Sequence, residues 1–199
     1  EMATIVGMGE SEYAWKSDMS TIELLLQASL RAIEDAGLTP KDIDGIIPGY
    51  APNPPVEEYI NNLGIGDLCY TSTHVIGGAS PVASLQSAAL AITMGVAQYV
   101  LCVSGRKLSE LKIFDTESRT KVWTVGHQSD FDAPFGSAIM LQRYGPIAKR
   151  HMHEYGTTSR QFGAVAVAAR KHAMLNEKAL CKDPITIDDH QNSEMIVDP

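Results

Sequence analysis

Ser20-Thr21-Ile22-Glu23-Leu24-Leu25-Leu26-Gln27-Ala28-Ser29-Leu30-Arg31-Ala32-Ile33-Glu34-Asp35-Ala36-Gly37, followed after a short turn by Gly45-Ile46-Ile47, spells a helix and then a strand. Ser20 and Glu23 have the spacing of a capping box, in which each side chain takes a backbone N–H that the first helical turn leaves unpaired. Ile22, Leu25, Leu26, Leu30 and Ile33 recur at helical spacing, and Gly37 offers a left-handed stop. Glu23, Gln27, Arg31 and Glu34 fall on the polar face. Thr39-Pro40-Lys41-Asp42 starts a brief turn, and Gly45-Ile46-Ile47 reads as a buried strand.

The same alternation extends in both directions. Upstream, Ala3-Thr4-Ile5-Val6-Gly7 is an apolar run that predicts a first buried strand. Downstream, Pro52 to Leu68 predicts a loop and one short helix, and Leu68 to Thr73 a third strand. Ser80-Pro81 reads as N-cap and first turn of a helix whose apolar face is Val82, Leu85, Ala89 and Ile92, ending at Gly95. Tyr99 to Val103 has the unbroken apolar character of a central parallel strand. Strands and helices in turn make an α/β layer sandwich over residues 1–105. From Arg106 to Asp132 the sequence turns charged and irregular, an excursion from that core. Two helices follow, across Gly136 to Tyr155 and from Ser159 to Asn176, the second capped by Thr158 and Gln161 with a face of Phe162, Val165, Ala166 and Ala169. Residues 106–199 are thus expected to form a helical loop domain.

With 199 residues, 44% of them hydrophobic, the chain can bury a full core. Its net charge of -8 argues against nucleic acid as the partner. Cys69, Cys102 and Cys181 are scattered, which suggests neither a disulfide framework nor a metal site and suits a reducing, cytoplasmic setting. No apolar run approaches the roughly 20 residues that span a bilayer. The chain opens at Glu1 and stops at Asp198-Pro199, which points to a piece of a longer protein.

Several patterns invite a function and carry little. Gly7-Met8-Gly9 lacks the third glycine of a dinucleotide loop. His151 and His153, two apart, fall on different faces of a helix and cannot chelate together, so no metal site is expected. His74, just before Gly77-Gly78, is either a hydrogen-bonded structural residue or one that faces a substrate.

Two passages resemble a known family. Ala32 through Gly45 is similar to the first helix-to-strand passage of the thiolase superfamily. Arg150-His151-Met152-His153-Glu154-Tyr155-Gly156-Thr157-Thr158 and Arg170-Lys171-His172-Ala173, leading into Asn176, resemble the loop region of its sterol-carrier-protein-2 thiolase and lipid-transfer branch. The resemblance implies a thiolase-like half, a layered mixed sheet flanked by helices, with residues 106–199 supplying the loop domain and the start of a linker to a missing C-terminal half. That second half would carry the catalytic histidine, oxyanion-hole groups and second cysteine. It also implies a homodimer paired through the strand Leu68 to Thr73.

In working thiolases a cysteine stands at the turn into the helix that ends here at Gly95, where the helix dipole favours its thiolate. The matching residue is Gly78, and neither Gly77 nor Ala79 replaces it. Ser80 reads as a cap rather than an attacking group. No catalytic residue is therefore assigned within the chain. His74, Gly77, Gly78 and Ser80 are expected to line a substrate pocket suited to an anionic oxygen or a thioester. Arg143, Lys149, Arg150, Arg170 and Lys171 fall where the family places the nucleotide end of coenzyme A, against the reading that they line a solvated helix face. Coenzyme A thioester would be substrate, with no permanently bound cofactor. For a chain without the cysteine the resemblance implies kinship with the retro-aldolases of steroid side-chain degradation, with a base from the second half and a DUF35-type partner subunit of OB-like fold. The reading is the N-terminal half of an acyl-CoA carbon-carbon bond enzyme, by aldol-type cleavage of a lipid or steroid side chain. The alternative is a non-catalytic acyl-CoA-binding or scaffold subunit of a heteromeric complex.

Overall fold

In the computed structural model the described residues are 3–49, 54–105, 107, 133–135 and 140–195. Arg106 and nearly all of the charged excursion, together with the predicted helix start at Gly136, lie outside them. The chain forms two compact units, Glu1–Leu108 and Ser109–Pro199.

The first unit is an α/β sandwich. Three parallel strands, β1 (Gly45–Pro48), β2 (Tyr70–Thr71) and β3 (Val100–Val103), lie in the order β2-β1-β3. Helices α1 (Thr21–Asp35), α2 (Val56–Leu63) and α3 (Ser80–Thr93) join and cover them. The two faces of the sheet follow from the two-residue period of a strand. Ile46, Leu101 and Val103 pack with Leu25 and Ile33 of α1 and Tyr59 and Leu63 of α2. Ile47 is also fully buried but belongs to the other face, where Cys102 of β3 meets Ser84 of α3.

The capping box of α1 forms as read: the Ser20 N–H donates to Glu23 Oε2 at 2.6 Å and the Ser20 hydroxyl accepts the Glu23 N–H. The Ser20 N–H foremost, and the Ser20 hydroxyl donating to the same oxygen at 2.8 Å, hold the Glu23 carboxyl below its ordinary range. Gly37 closes the helix at φ 68°.

The helix's polar stripe does more than face water. Gln27 Oε1 accepts from the Glu12 N–H, Arg31 donates to the Glu10 carbonyl, and Asp35 accepts from the Met8 N–H. Residues 3–12 are thereby laid along α1, and the predicted first strand, Ala3 to Gly7, pairs with no strand among the described residues. Ile5 and Val6 are exposed, so the expectation of a buried strand there is corrected. An apolar run forms a strand only where a free sheet edge takes its N–H groups. Gly7 and Gly9 are glycine because a Cβ would stand 2.3 Å from the Ala32 carbonyl oxygen and 2.1 Å from that of Ala28. That close crossing accounts for the Gly-Met-Gly pattern.

Strand β2 is shorter than the predicted Leu68 to Thr73. Gly45 lies opposite Tyr70 and Ile46 opposite Thr71, so two residues further on Thr73 would face Pro48. A proline there has no N–H to give, and the ladder ends.

Asp44 fastens the start of all three strands. Its carboxylate accepts from the Tyr99 N–H at 2.8 Å and from the Gln98 N–H at 2.8 and 3.0 Å. Its carbonyl accepts from the N–H groups of Cys69 and Tyr70 at 2.7 and 3.1 Å, and its own N–H donates to the Tyr99 carbonyl.

In the second unit α4 (Met140–Tyr155) and α5 (Ser159–Met174) precede a short α6 (Ile187–Gln191). Thr158 and Gln161 form the predicted capping box, and Thr186 and Asp189 form one more that was not foreseen. The predicted inner face of α5 is corrected. Phe162 and Val165 point outward, while Gly163 is buried against the His190 ring of α6, where a Cβ would meet Nδ1 at 3.2 Å. A glycine marks this face because the neighbouring ring leaves room for nothing larger. No helix among the described residues is long and apolar enough to cross a membrane.

Asp44→Ala is expected to lower the unfolding free energy in urea by about 2 kcal/mol or more, since it strands two backbone donors of a charge-assisted pair. Asp44→Asn, which keeps one acceptor oxygen, should lose less than half of that.

Candidate active site

The turn into α3 and the residues just before it include those expected from the sequence to line a substrate pocket. Ile76 precedes a single 3-10 turn, Gly77–Ala79, which runs directly into Ser80 as the first residue of α3. Gly77 adopts φ 61°, in the left-handed region. Gly78 does not, and a Cβ built on it meets nothing within 4 Å. Gly77 and Gly78 are exposed. His74 is half-buried, with its Nε2 3.5 Å from the Ser72 hydroxyl.

Ser80 is not the N-cap it was expected to be. It sits inside the helix in right-handed conformation, 3% exposed, and its hydroxyl reaches back to accept the Ile76 N–H at 3.0 Å. The preceding 3-10 turn already occupies the capping position, so the serine is free to tie down the turn instead.

The face α3 gives to the sheet also differs from the prediction. Ser80, Ser84, Ala88 and Ala91 are buried, whereas Val82 and Leu85 are exposed together with Leu90 and Met94. Small side chains at i, i+4, i+8 and i+11 let the helix lie close on β1 and β3, and the larger apolar groups are turned outward. Hydrophobicity ranks the two faces the wrong way round because size, rather than polarity, decides which fits.

The five basic residues assigned to the nucleotide end of coenzyme A all lie in the second unit, on α4 and α5. Arg143 is half-buried. Arg150 pairs with Glu154 one turn on, at 2.5 Å, and Arg170 donates to the Asp183 carbonyl. Lys149 and Lys171 are exposed. The main packing partner of α5 among the described residues is α6. His151 stacks on Tyr155 with ring centroids 4.8 Å apart, and no group of metal-ligating side chains gathers among the described residues.

No protein-family model matches the chain. Curated relatives do. The chain is 38% identical over 209 residues to the steroid side-chain-cleaving aldolase of Thermomonospora curvata, covering 99% of this chain and 51% of that protein. It is 37% identical over 204 residues to the 17-hydroxy-3-oxo-4-pregnene-20-carboxyl-CoA lyase of Mycobacterium tuberculosis, again over 99% of this chain and 52% of the relative. Among solved structures, the Ltp2-ChsH2(DUF35) aldolase superposes with a TM-score of 0.83 at 40% identity, over 100% of this chain and 50% of that one. The chain belongs to the thiolase superfamily, in its Ltp2-like branch. It spans about half the length of the curated relatives it matches.

As a thiolase-superfamily chain it is notable for where its sulfur is. Cys69 and Cys181 are exposed, and neither is near the turn in sequence. Cys102 is half-buried in β3, where burial pushes its thiol up and a hydrogen bond with Ser84 draws it back only in part. A thiol held protonated inside a strand is a core residue, not a nucleophile. The turn itself offers backbone groups and no nucleophilic side chain at Gly78.

The two glycines should respond differently to a methyl group. Gly77→Ala forces a side chain into the left-handed region and is expected to cost about 1 kcal/mol of stability. Gly78→Ala should change it by less than about 0.5 kcal/mol. Urea unfolding monitored by circular dichroism distinguishes them.

Proposed function

We propose that the chain is one half of a thiolase-fold lyase that cleaves a carbon-carbon bond in a lipid or steroid side-chain acyl-CoA by a retro-aldol reaction. The observation that carries this reading is Gly78 at the turn into α3: a turn at a helix start, of the kind suited to an acyl oxygen, carries no side chain that could serve as the nucleophile for acyl transfer. Relatives of 38% and 37% identity, an aldolase and a CoA lyase, support it.

Retro-aldol cleavage needs no acyl-enzyme. A base removes the proton of the β-hydroxyl, the bond between the α and β carbons breaks to leave a carbonyl compound, and the electron pair passes into the enolate of the thioester, which is then protonated at the α carbon. The demand on this chain is to hold the thioester and stabilise the enolate oxygen, for which N–H groups at a helix start are suited. The base comes from outside it. The outward apolar face of α3, with Val82, Leu85 and Leu90 uncovered within this unit, fits a protein whose matched relatives are twice as long. A DUF35-type subunit is the second partner we propose, on the precedent of the Ltp2-ChsH2(DUF35) aldolase, with a homodimer as the assembly and the cytoplasm as the setting. In the second unit, Lys149 and Lys171 are the basic groups most available to a polyphosphate, with Arg143, Arg150 and Arg170 shaping the same helices.

The full-length protein, co-purified with its partner, should convert a steroid side-chain β-hydroxyacyl-CoA into a ketone and a shortened acyl-CoA, followed by liquid chromatography and mass spectrometry. Binding of the acyl-CoA without turnover by the complete assembly would replace the lyase with the non-catalytic binding subunit. Lys149→Glu with Lys171→Glu should raise KM about tenfold with kcat little changed, equivalent to about 1.4 kcal/mol of lost binding. An unchanged KM would return both lysines to the solvated surface.

A further inference from the structure

The turn into α3 leaves two neighbouring backbone donors uncommitted. The Ile76 N–H goes to the Ser80 hydroxyl, the Ala79 N–H to the Ile76 carbonyl at 3.4 Å, and the Ser80 N–H to the Gly77 carbonyl. The N–H groups of Gly77 and Gly78 have no acceptor among the described residues. A left-handed residue followed by a right-handed turn directs successive N–H groups to one concave side, an arrangement that favours anionic oxygen. What keeps the turn in that form is a side chain from within the helix. Ser80 is almost fully buried, accepts the N–H of the residue just before the turn, and finds no acceptor for its own proton among the described residues.

We infer that Ser80 is a positioning residue: by holding the Ile76 N–H it fixes the turn in which Gly77 and Gly78 present their N–H groups together to one oxyanion. The identity of that oxyanion, a thioester oxygen becoming an enolate, rests on the lyase reading. The role of Ser80 does not, because its bond to Ile76 is a property of the chain itself. Without the hydroxyl, the Ile76 N–H turns to water and the left-handed step at Gly77 loses its tie. The two donors then point independently.

The test reads the site's affinity for negative charge without requiring turnover. In the full chain, Gly78→Cys places a thiol where a Cβ meets no obstacle. Its rate of alkylation by iodoacetamide is followed against pH at the peptide containing position 78, by mass spectrometry. The expected midpoint lies at least about one pH unit below the value near 8.5 of an unperturbed cysteine. Adding Ser80→Ala should move the midpoint back up by about one unit, and Ser80→Thr, which keeps the hydroxyl, should leave it low. A midpoint near 8.5 in the Gly78→Cys chain, or one that Ser80→Ala does not move, overturns the inference. Amide hydrogen exchange on the unsubstituted chain gives a reading that does not depend on any variant folding: Ile76 protected, with Gly77 and Gly78 exchanging freely. Equal exchange at all three positions also overturns it. A low, Ser80-dependent midpoint in a protein that cleaves no acyl-CoA upholds the role of Ser80 and removes only the lyase.

Discussion

Asp44 receives the backbone of two other strands at once. Its carboxylate takes the N–H groups of Gln98 and Tyr99, and its carbonyl takes those of Cys69 and Tyr70. Parallel strands are joined by long crossovers and have no tight turn to fix their register, so something else must do so. Here one residue sets Gly45 opposite both Tyr70 and Val100. Once that register is fixed, the two-residue period decides the rest: Ile46, Leu101 and Val103 go to α1 and α2, and Ile47 and Cys102 to the other face. A slip by one residue would exchange those sets and set each against the helices that fit the other.

The register also determines where α3 begins. The chain leaves β2 at Thr71 and must return along the sheet to β3 at Val100, and the helix that makes the return lies close because Ser80, Ser84, Ala88 and Ala91 are small. The close approach leaves the larger side chains facing out, and buries the Ser80 hydroxyl beneath the turn that it ties. Packing of the helix and shape of the candidate site are therefore one problem. The same small residue that allows the helix to settle on the sheet holds the N–H of Ile76.

The chemistry follows from what the turn keeps and what it lacks. A nucleophile and a set of oxyanion donors are separable functions: the first forms a covalent intermediate, the second lowers the energy of charge that develops in any reaction of a thioester. On the proposed reading, this chain has glycine at the first and an ordered turn at the second. Carbon-carbon cleavage by way of an enolate uses only the second, which makes the fold compatible with lyase chemistry.

Much of this could be read from residue order, because it depends on interactions between residues close in sequence. Ser20 with Glu23, Thr158 with Gln161, the left-handed Gly37, and the strands at Gly45 and Val100 are of this kind. Their physics is settled within a turn or two of backbone. The misread strand and helix face each depend on a neighbour from elsewhere in the chain. Ala3 to Gly7 has the composition of a strand but is laid on α1 by Gln27, Arg31 and Asp35. Val82 and Leu85 have the hydrophobicity of a core face, yet the distance to the sheet selected serine and alanine. Ser80 is a local case: it has the signature of a cap and instead takes the Ile76 N–H four residues back, because the 3-10 turn before it already fills the capping position. By itself, then, the sequence determined the local elements and the glycine at position 78, since both lie in near neighbours and in residue identity. Only the tertiary structure decided which faces are buried, because that is set by which surfaces meet and how closely.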